Sequence, residues 1–179
     1  MTWPRRLFSA IVVALAAAGL DQASKWLMLE IVLNPPRLIA LTPFLNLRLG
    51  FNTGVSFGLF RDTLEAWPGL LGLFKFGAGF GLLAWAALAG HRLERIGLAL
   101  MAGGAFGNAI DRWRQGAVTD FLDLHWAGWH WPTFNGADIA ISAGVGLMLL
   151  AALAEYRRGR SRVGLAETKA APAKSGERT

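Results

Sequence analysis

The stretch LFSAIVVALAAAGLDQASKWLML, residues 7–29, decides the fold class. A membrane-spanning helix needs about 20 predominantly apolar residues, and only Asp21 and Lys25 interrupt this run. Arg5 and Arg6 precede it, and the small residues Ala16-Ala17-Ala18-Gly19 lie within it, an arrangement shared with cleavable signal peptides. Hydrophobicity nevertheless resumes past Asp21, through Trp26 to Leu29. That is too long for a signal core, so the run is read as a retained first span. Working outward, three further apolar runs cover about 68–89, 96–112 and 138–156. Lys75 breaks the second, Asp111-Arg112 closes the third, and the last two need flanking residues to reach spanning length.

The expected architecture is therefore an all-α membrane bundle of four transmembrane helices, in a single domain over residues 1–155. Composition agrees: 54% of the 179 residues are hydrophobic and 17% charged, against roughly a quarter charged in soluble domains. The 8 Trp and 22 Gly suit interfacial anchoring and close helix approach. There is no Cys, which excludes disulfides, thiolate metal sites and thiol nucleophiles. The net charge of +6 does not indicate nucleic acid, because the basic residues gather at the chain ends and in one short loop. Arg5, Arg6, Arg92, Arg95 and the many basic residues from Arg157 onward outnumber those of the two long connections, so both termini are expected in the cytoplasm. Residues 157–179 are expected to form a basic, disordered cytoplasmic tail.

The outward connections carry pattern of their own. From Phe44 to Phe51, Leu45, Leu47, Leu49 and Phe51 alternate with Phe44, Asn46, Arg48 and Gly50, the period of a half-buried strand. Asn52-Thr53-Gly54 reads as a turn and Val55–Phe60 as a second short strand, giving a small extracytoplasmic β-sheet over about 38–60. The connection at 111–137 is expected to be a short loop or helix. Its Trp126, Trp129 and Trp131, with His125 and His130, suit an interfacial belt.

Charges at a bilayer are expensive, so each invites a functional reading with a named partner. Asp21, Lys25, Lys75, Asp111, Arg112, Asp120, Asp123 and Asp138 are the candidates. Structural roles compete: Asp138 as a helix N-cap, Asp111 in a helix-end ion pair, Lys75 snorkelling or in a bundle contact, and Lys25 paired with Asp21 four residues earlier. Several carboxylates beside a low-dielectric medium nevertheless suit one chemistry. Two that share a site cannot both ionise, so one activates water while the other keeps a proton for the scissile carbonyl and the leaving amine. No Gly-x-Ser-x-Gly or His-Glu-x-x-His offers a rival, and His125 and His130 lack the i, i+4 spacing of a helical zinc pair. No metal or cofactor is expected.

Five ordered blocks resemble the lipoprotein signal peptidase (type II signal peptidase) family. They are Asp21-Gln22-Ala23-Ser24-Lys25, Phe51–Gly58, Gly103–Arg112, Val118-Thr119-Asp120-Phe121 and Phe134-Asn135-Gly136-Ala137-Asp138. The resemblance implies a catalytic pair of Asp120 and Asp138. It implies a supporting and substrate-binding set of Asp21, Lys25, Asn52, Gly54, Asn108, Asp111, Arg112, Asn135 and Ala137. The implied substrate is a diacylglyceryl-modified prolipoprotein, cut just before its lipidated Cys in the bacterial inner membrane, near the extracytoplasmic face, by a monomer in contact with membrane lipids. Thr119 departs from the usual aliphatic residue of the family, and Val55-Ser56 from its usual small residues; neither removes a reacting group. A proton-coupled carrier and a non-catalytic envelope chaperone are the competing classes. The first would show internal repeats, which are not seen; the second leaves the paired aspartates unexplained.

Overall fold

A computed structural model describes residues 2–54 and 68–170. Helix α1 spans Trp3–Leu27, with Pro4 in its first turn, where the missing N–H costs nothing. A π-helical turn, Met28–Val32, ends it. Helices α2 (Pro68–Leu88), α3 (Arg92–Gln115) and α4 (Gly136–Ala170) follow. His91 caps α3 by accepting the Leu93 N–H on its Nδ1, and Gly116 closes it at φ 77°, a left-handed position that glycine occupies without strain.

Helix α3 is the central one and packs on α1, α2 and α4. Small residues allow it. A side chain at Gly103 would meet the Ala14 carbonyl oxygen at 2.5 Å, and one at Gly97 would meet that of Gly144 at 2.6 Å. The core between helices is correspondingly fine-grained: Ala10, Ala14, Ala86, Ala99 and Ala102 with Leu83 and Leu98. Large apolar side chains such as Phe8, Leu15, Phe74, Leu88 and Leu149 point outward, the inverse of a water-soluble packing.

Among the described residues, three helical stretches are long and apolar enough to cross a membrane: Trp3–Val32, Gly69–Leu88 and Gly136–Arg158. Helix α3 was expected as a fourth over 96–112, and is longer and more polar than that expectation. Enclosed by its neighbours, it can carry Asn108, Asp111 and Arg112 on inward faces that lipid never meets. Helix α4 also runs beyond the expected boundary. It continues through Ala170 into the basic segment that was expected to be disordered, and residues 151–170 are rich in the helix formers Ala, Leu, Glu and Arg.

The sheet is antiparallel, in the order β1-β2-β3-β4, with β1 at Ile39–Thr42, β2 at Leu45–Asn52, β3 at Val118–Trp126 and β4 at Trp129–His130. Half of it comes from the 111–137 connection, which was expected as a loop or helix. Asp120 and Asp123 fall on opposite faces of β3 and erase the period-two signal there. Ala127 (φ 49°) and Gly128 (φ 83°) form the β3–β4 turn, with the two positive φ values that a two-residue hairpin favours. The alternation expected for Phe44–Phe51 is also broken. Leu47 pairs with Leu122 but Gly50 pairs with Asp120, so β2 gains one residue on β3, a β-bulge. Past the bulge the faces exchange: Gly50 and Asn52 join the Asp120 face, and Phe51 turns away. The expected strand at Val55–Phe60 lies outside the described residues.

Candidate active site

The C-terminal half of α1, the C-terminal half of α3, the start of α4 and strand β3 converge at one end of the bundle. At the base is Lys25, buried on α1. Its ammonium donates to Asp21 Oδ2 at 2.8 Å and to Asn108 Oδ1 at 3.1 Å, and lies 2.8 Å from Asp111 Oδ2. Three acceptors meet three N–H bonds, so the cation is fully satisfied. The remaining carboxylate oxygens are also held. Asp21 Oδ1 accepts the Ala137 N–H at 2.7 Å, and Asp111 Oδ1 accepts Gln22 Nε2 at 2.7 Å. Asp111 Oδ2 also takes the Thr119 N–H at 3.0 Å. One pair of ion bridges thereby pins α1, α3, α4 and β3 to one another. Removing one partner of so buried a cluster costs about 3–5 kcal/mol, because the other charge is left uncompensated.

Above the base stand two asparagines. Asn108 turns its oxygen to Lys25, which fixes the amide, and its Nδ2 donates to Asp138 Oδ1 at 3.1 Å. Asn135 caps α4. Its Oδ1 accepts the Asp138 N–H at 3.1 Å while Asp138 Oδ2 accepts the Asn135 N–H at 3.3 Å, a reciprocal capping box. Asp138 is thus the third residue of that box, and Asn135 is its cap. The Asn135 side-chain amide also donates to Asp120 Oδ1 at 2.6 Å and to the Thr119 carbonyl oxygen at 3.2 Å. A single residue therefore holds Asp120 with its side chain and Asp138 with its backbone.

Asp120 is 3% exposed. Burial and the neighbouring charge of Asp138 push its carboxyl up to about 6, against the pull of hydrogen bonds from Asn135 and Asn52 and the charge of Lys25. The β-bulge is what brings Asn52 to that face. Asn52 also accepts the Gly54 N–H at 3.2 Å, and the Gly54 carbonyl oxygen accepts Arg112 Nη2 at 3.1 Å. Arg112 Nε is buried with no hydrogen-bond partner among the described residues, an uncommon and costly state for a donor. Lys75, on α2, is half-buried and feels the charges of Arg112, Asp138, Lys25 and Asp120.

Every supporting residue expected from the sequence joins this network. Gln22 and the Thr119 backbone were not singled out, although both lie within the motif blocks. Asp123 stands apart, on the opposite face of β3. His130 Nδ1 contacts its Oδ1 at 2.7 Å, Asn46 Nδ2 donates to Oδ2 at 3.3 Å, and Arg48 lies 3.8 Å away. Burial pushes the Asp123 carboxyl up, but these partners together hold it below the ordinary value. His125 stacks on His130 at 5.2 Å between ring centroids. Trp126, Trp129 and Trp131 are exposed around this hairpin.

Fold and site together define a helical membrane protein with a buried, carboxylate-rich centre at one end of its bundle. The Signal peptidase (SPase) II family profile matches residues 13–154. Similar proteins include the lipoprotein signal peptidase of Methylobacterium sp. (strain 4-46), 42% identical over 87% of this chain and 94% of its own. That of Nitrobacter hamburgensis is 45% identical over 78% and 88%. Two solved structures of a bacterial membrane enzyme, obtained by the in meso method, superpose with a TM-score of 0.68. They are 25% and 26% identical, covering 83% and 81% of this chain and 89% and 92% of theirs. The chain belongs to the signal peptidase II family and is a bacterial membrane protein.

Proposed function

We propose that this chain is an aspartic endopeptidase that removes the signal peptide from diacylglyceryl-modified prolipoproteins, cutting just before the lipidated Cys. The observation that carries the reading is Asn135 holding Asp120 and Asp138 at once. Two carboxyls bound to one residue share a proton more readily than they both ionise. Asp120, the member pushed up to about 6, is the natural carrier of that proton, although the pair titrates as a unit. Asp138 then takes a proton from water as the water attacks the scissile carbonyl carbon. Asp120 donates a hydrogen bond to the carbonyl oxygen, and its proton passes on to the leaving amine. The Nε–H of Arg112, which has no partner among the described residues, supplies a donor for the substrate backbone. Asp21, Lys25 and Asp111 touch no substrate; they lock the helices that carry the dyad.

Four spans, both termini in the cytoplasm and the dyad near the extracytoplasmic face follow from the distribution of Arg and Lys. Enclosure of α3 by three apolar helices supports the span count. Every group of the site comes from a single chain, which supports a monomer, with membrane lipids as its surroundings and no cofactor in the step. The test is cleavage by purified protein of a prolipoprotein with and without diacylglycerol on its Cys. Cleavage of the lipidated form alone, at the bond immediately preceding the Cys, is expected. Equal cleavage of both forms, or of neither, overturns the reading.

A further inference from the structure

The opposite end of the bundle holds a second polar feature that the dyad does not use. A cleft of about 400 Å³ opens between the first turns of α1 and α3, lined by Ser9, Ala10, Val13, Arg92, Arg95, Ile96 and Ala99. Arg95 and Asp111 are 16 residues apart on α3, so the cleft lies about 24 Å from the catalytic end at 1.5 Å per residue. Arg95 is 8% exposed. Its guanidinium makes no hydrogen bond or ion pair among the described residues, and it lines the cleft. Glu94, the acidic residue of the same turn, does not neutralise it. A ligand in the cleft would complete the hydrogen bonding of this guanidinium.

We infer that this cleft binds the phosphate headgroup of an anionic membrane lipid, with Arg95 and Arg92 on the phosphate and Val13 and Ile96 against the start of an acyl chain. Arginine suits the partner, since its planar fork matches two phosphate oxygens. The N-terminal end of a helix adds a positive partial charge directed at the same place. Apolar walls directly beside the guanidinium distinguish a lipid from free phosphate, which would gain nothing from them. Basic pockets between spanning helices hold headgroups for these reasons. The inference rests on the chain being a lipid-embedded bundle and is independent of the peptidase chemistry.

The test is thermal unfolding of the full chain in neutral detergent, titrated with phosphatidylglycerol, phosphatidylcholine or inorganic phosphate, without any peptide. Phosphatidylglycerol is expected to raise Tm saturably, and Arg95→Gln to weaken its apparent affinity about tenfold, the effect of losing one charge-assisted contact. Asp120→Asn should respond as the unsubstituted chain does, so failure of the dyad reading would leave this result unaffected. Should Arg95→Gln not fold, Arg95→Lys keeps the charge and loses the fork, and a several-fold weaker response is expected. Unchanged phosphatidylglycerol binding in both variants, or an equal shift with phosphatidylcholine, would overturn the site. A full shift with inorganic phosphate alone would overturn its assignment to a lipid.

Discussion

Asp120 and Asp123 lie three residues apart on one strand, at 3% and 0% exposure, and their surroundings drive them in opposite directions. Asp120 faces another carboxylate, Asp138, and is pushed up to about 6. Asp123 faces His130, Asn46 and Arg48 and is held low. Both are shielded from solvent, so lack of exposure alone does not make a reactive carboxyl. What differs is the depth at which each lies and the neighbour it meets. A like charge keeps a proton in the site, whereas donors and a cation use the carboxylate as a structural acceptor.

The largest effect that would break this contrast comes from Asp138→Asn. Cleavage should fall by roughly 10³-fold or more, in the range of lost acid–base catalysis. With the like charge gone, the Asp120 titration should drop below about 6, which ¹³C NMR of labelled aspartate reads directly. Next comes the pH dependence of stability. The folded-state value of Asp120 lies above the ordinary 3.8, so its contribution is complete below that value and is lost as pH rises to about 6. A shift of about two units corresponds to roughly 3 kcal/mol. Chemical denaturation of Asp120→Asn should therefore lack that decline between about pH 4 and 6. A decline of equal size in the variant would assign it to another group.

Asp123→Asn should cost about 1–3 kcal/mol, the price of charge-assisted hydrogen bonds to a buried group. Its sign with pH is reversed. The folded value is depressed, so the stabilisation is present above the ordinary aspartate value and disappears as pH falls through the folded one. Arg48→Gln should do least. Its side chain is 50% exposed at 3.8 Å, and screened pairs of that kind contribute up to about 1 kcal/mol, often much less. An Arg48 effect as large as that of Asp123→Asn would mean that the cation, and not the His130 and Asn46 contacts, sets the Asp123 environment.

Much of the candidate site was legible because its residues sit in short ordered blocks, where Asp21 and Lys25, or Asn108 and Asp111, already share a helix face. Strand β3 was not legible, because it buries carboxylates on both faces and so loses the alternation by which a strand is recognised. The face assignment in β2 failed for a related reason. A bulge between Leu47 and Gly50 inserts one residue, which no hydrophobic period announces, and it is this residue that turns Asn52 toward Asp120. Helix α3 was read too short because its ends are polar. Asn135 was read as support, while its capping of α4 emerges only when the register of Asp138 is known.

The most direct measurement is single-turnover cleavage of a diacylglyceryl-modified prolipoprotein by Asp120→Asn and Asp123→Asn side by side, at matched folded fraction. The account predicts that Asp120→Asn loses cleavage by about 10³-fold or more, while Asp123→Asn stays within several-fold of the unsubstituted chain. Comparable losses in the two variants, or cleavage surviving in Asp120→Asn, would contradict it.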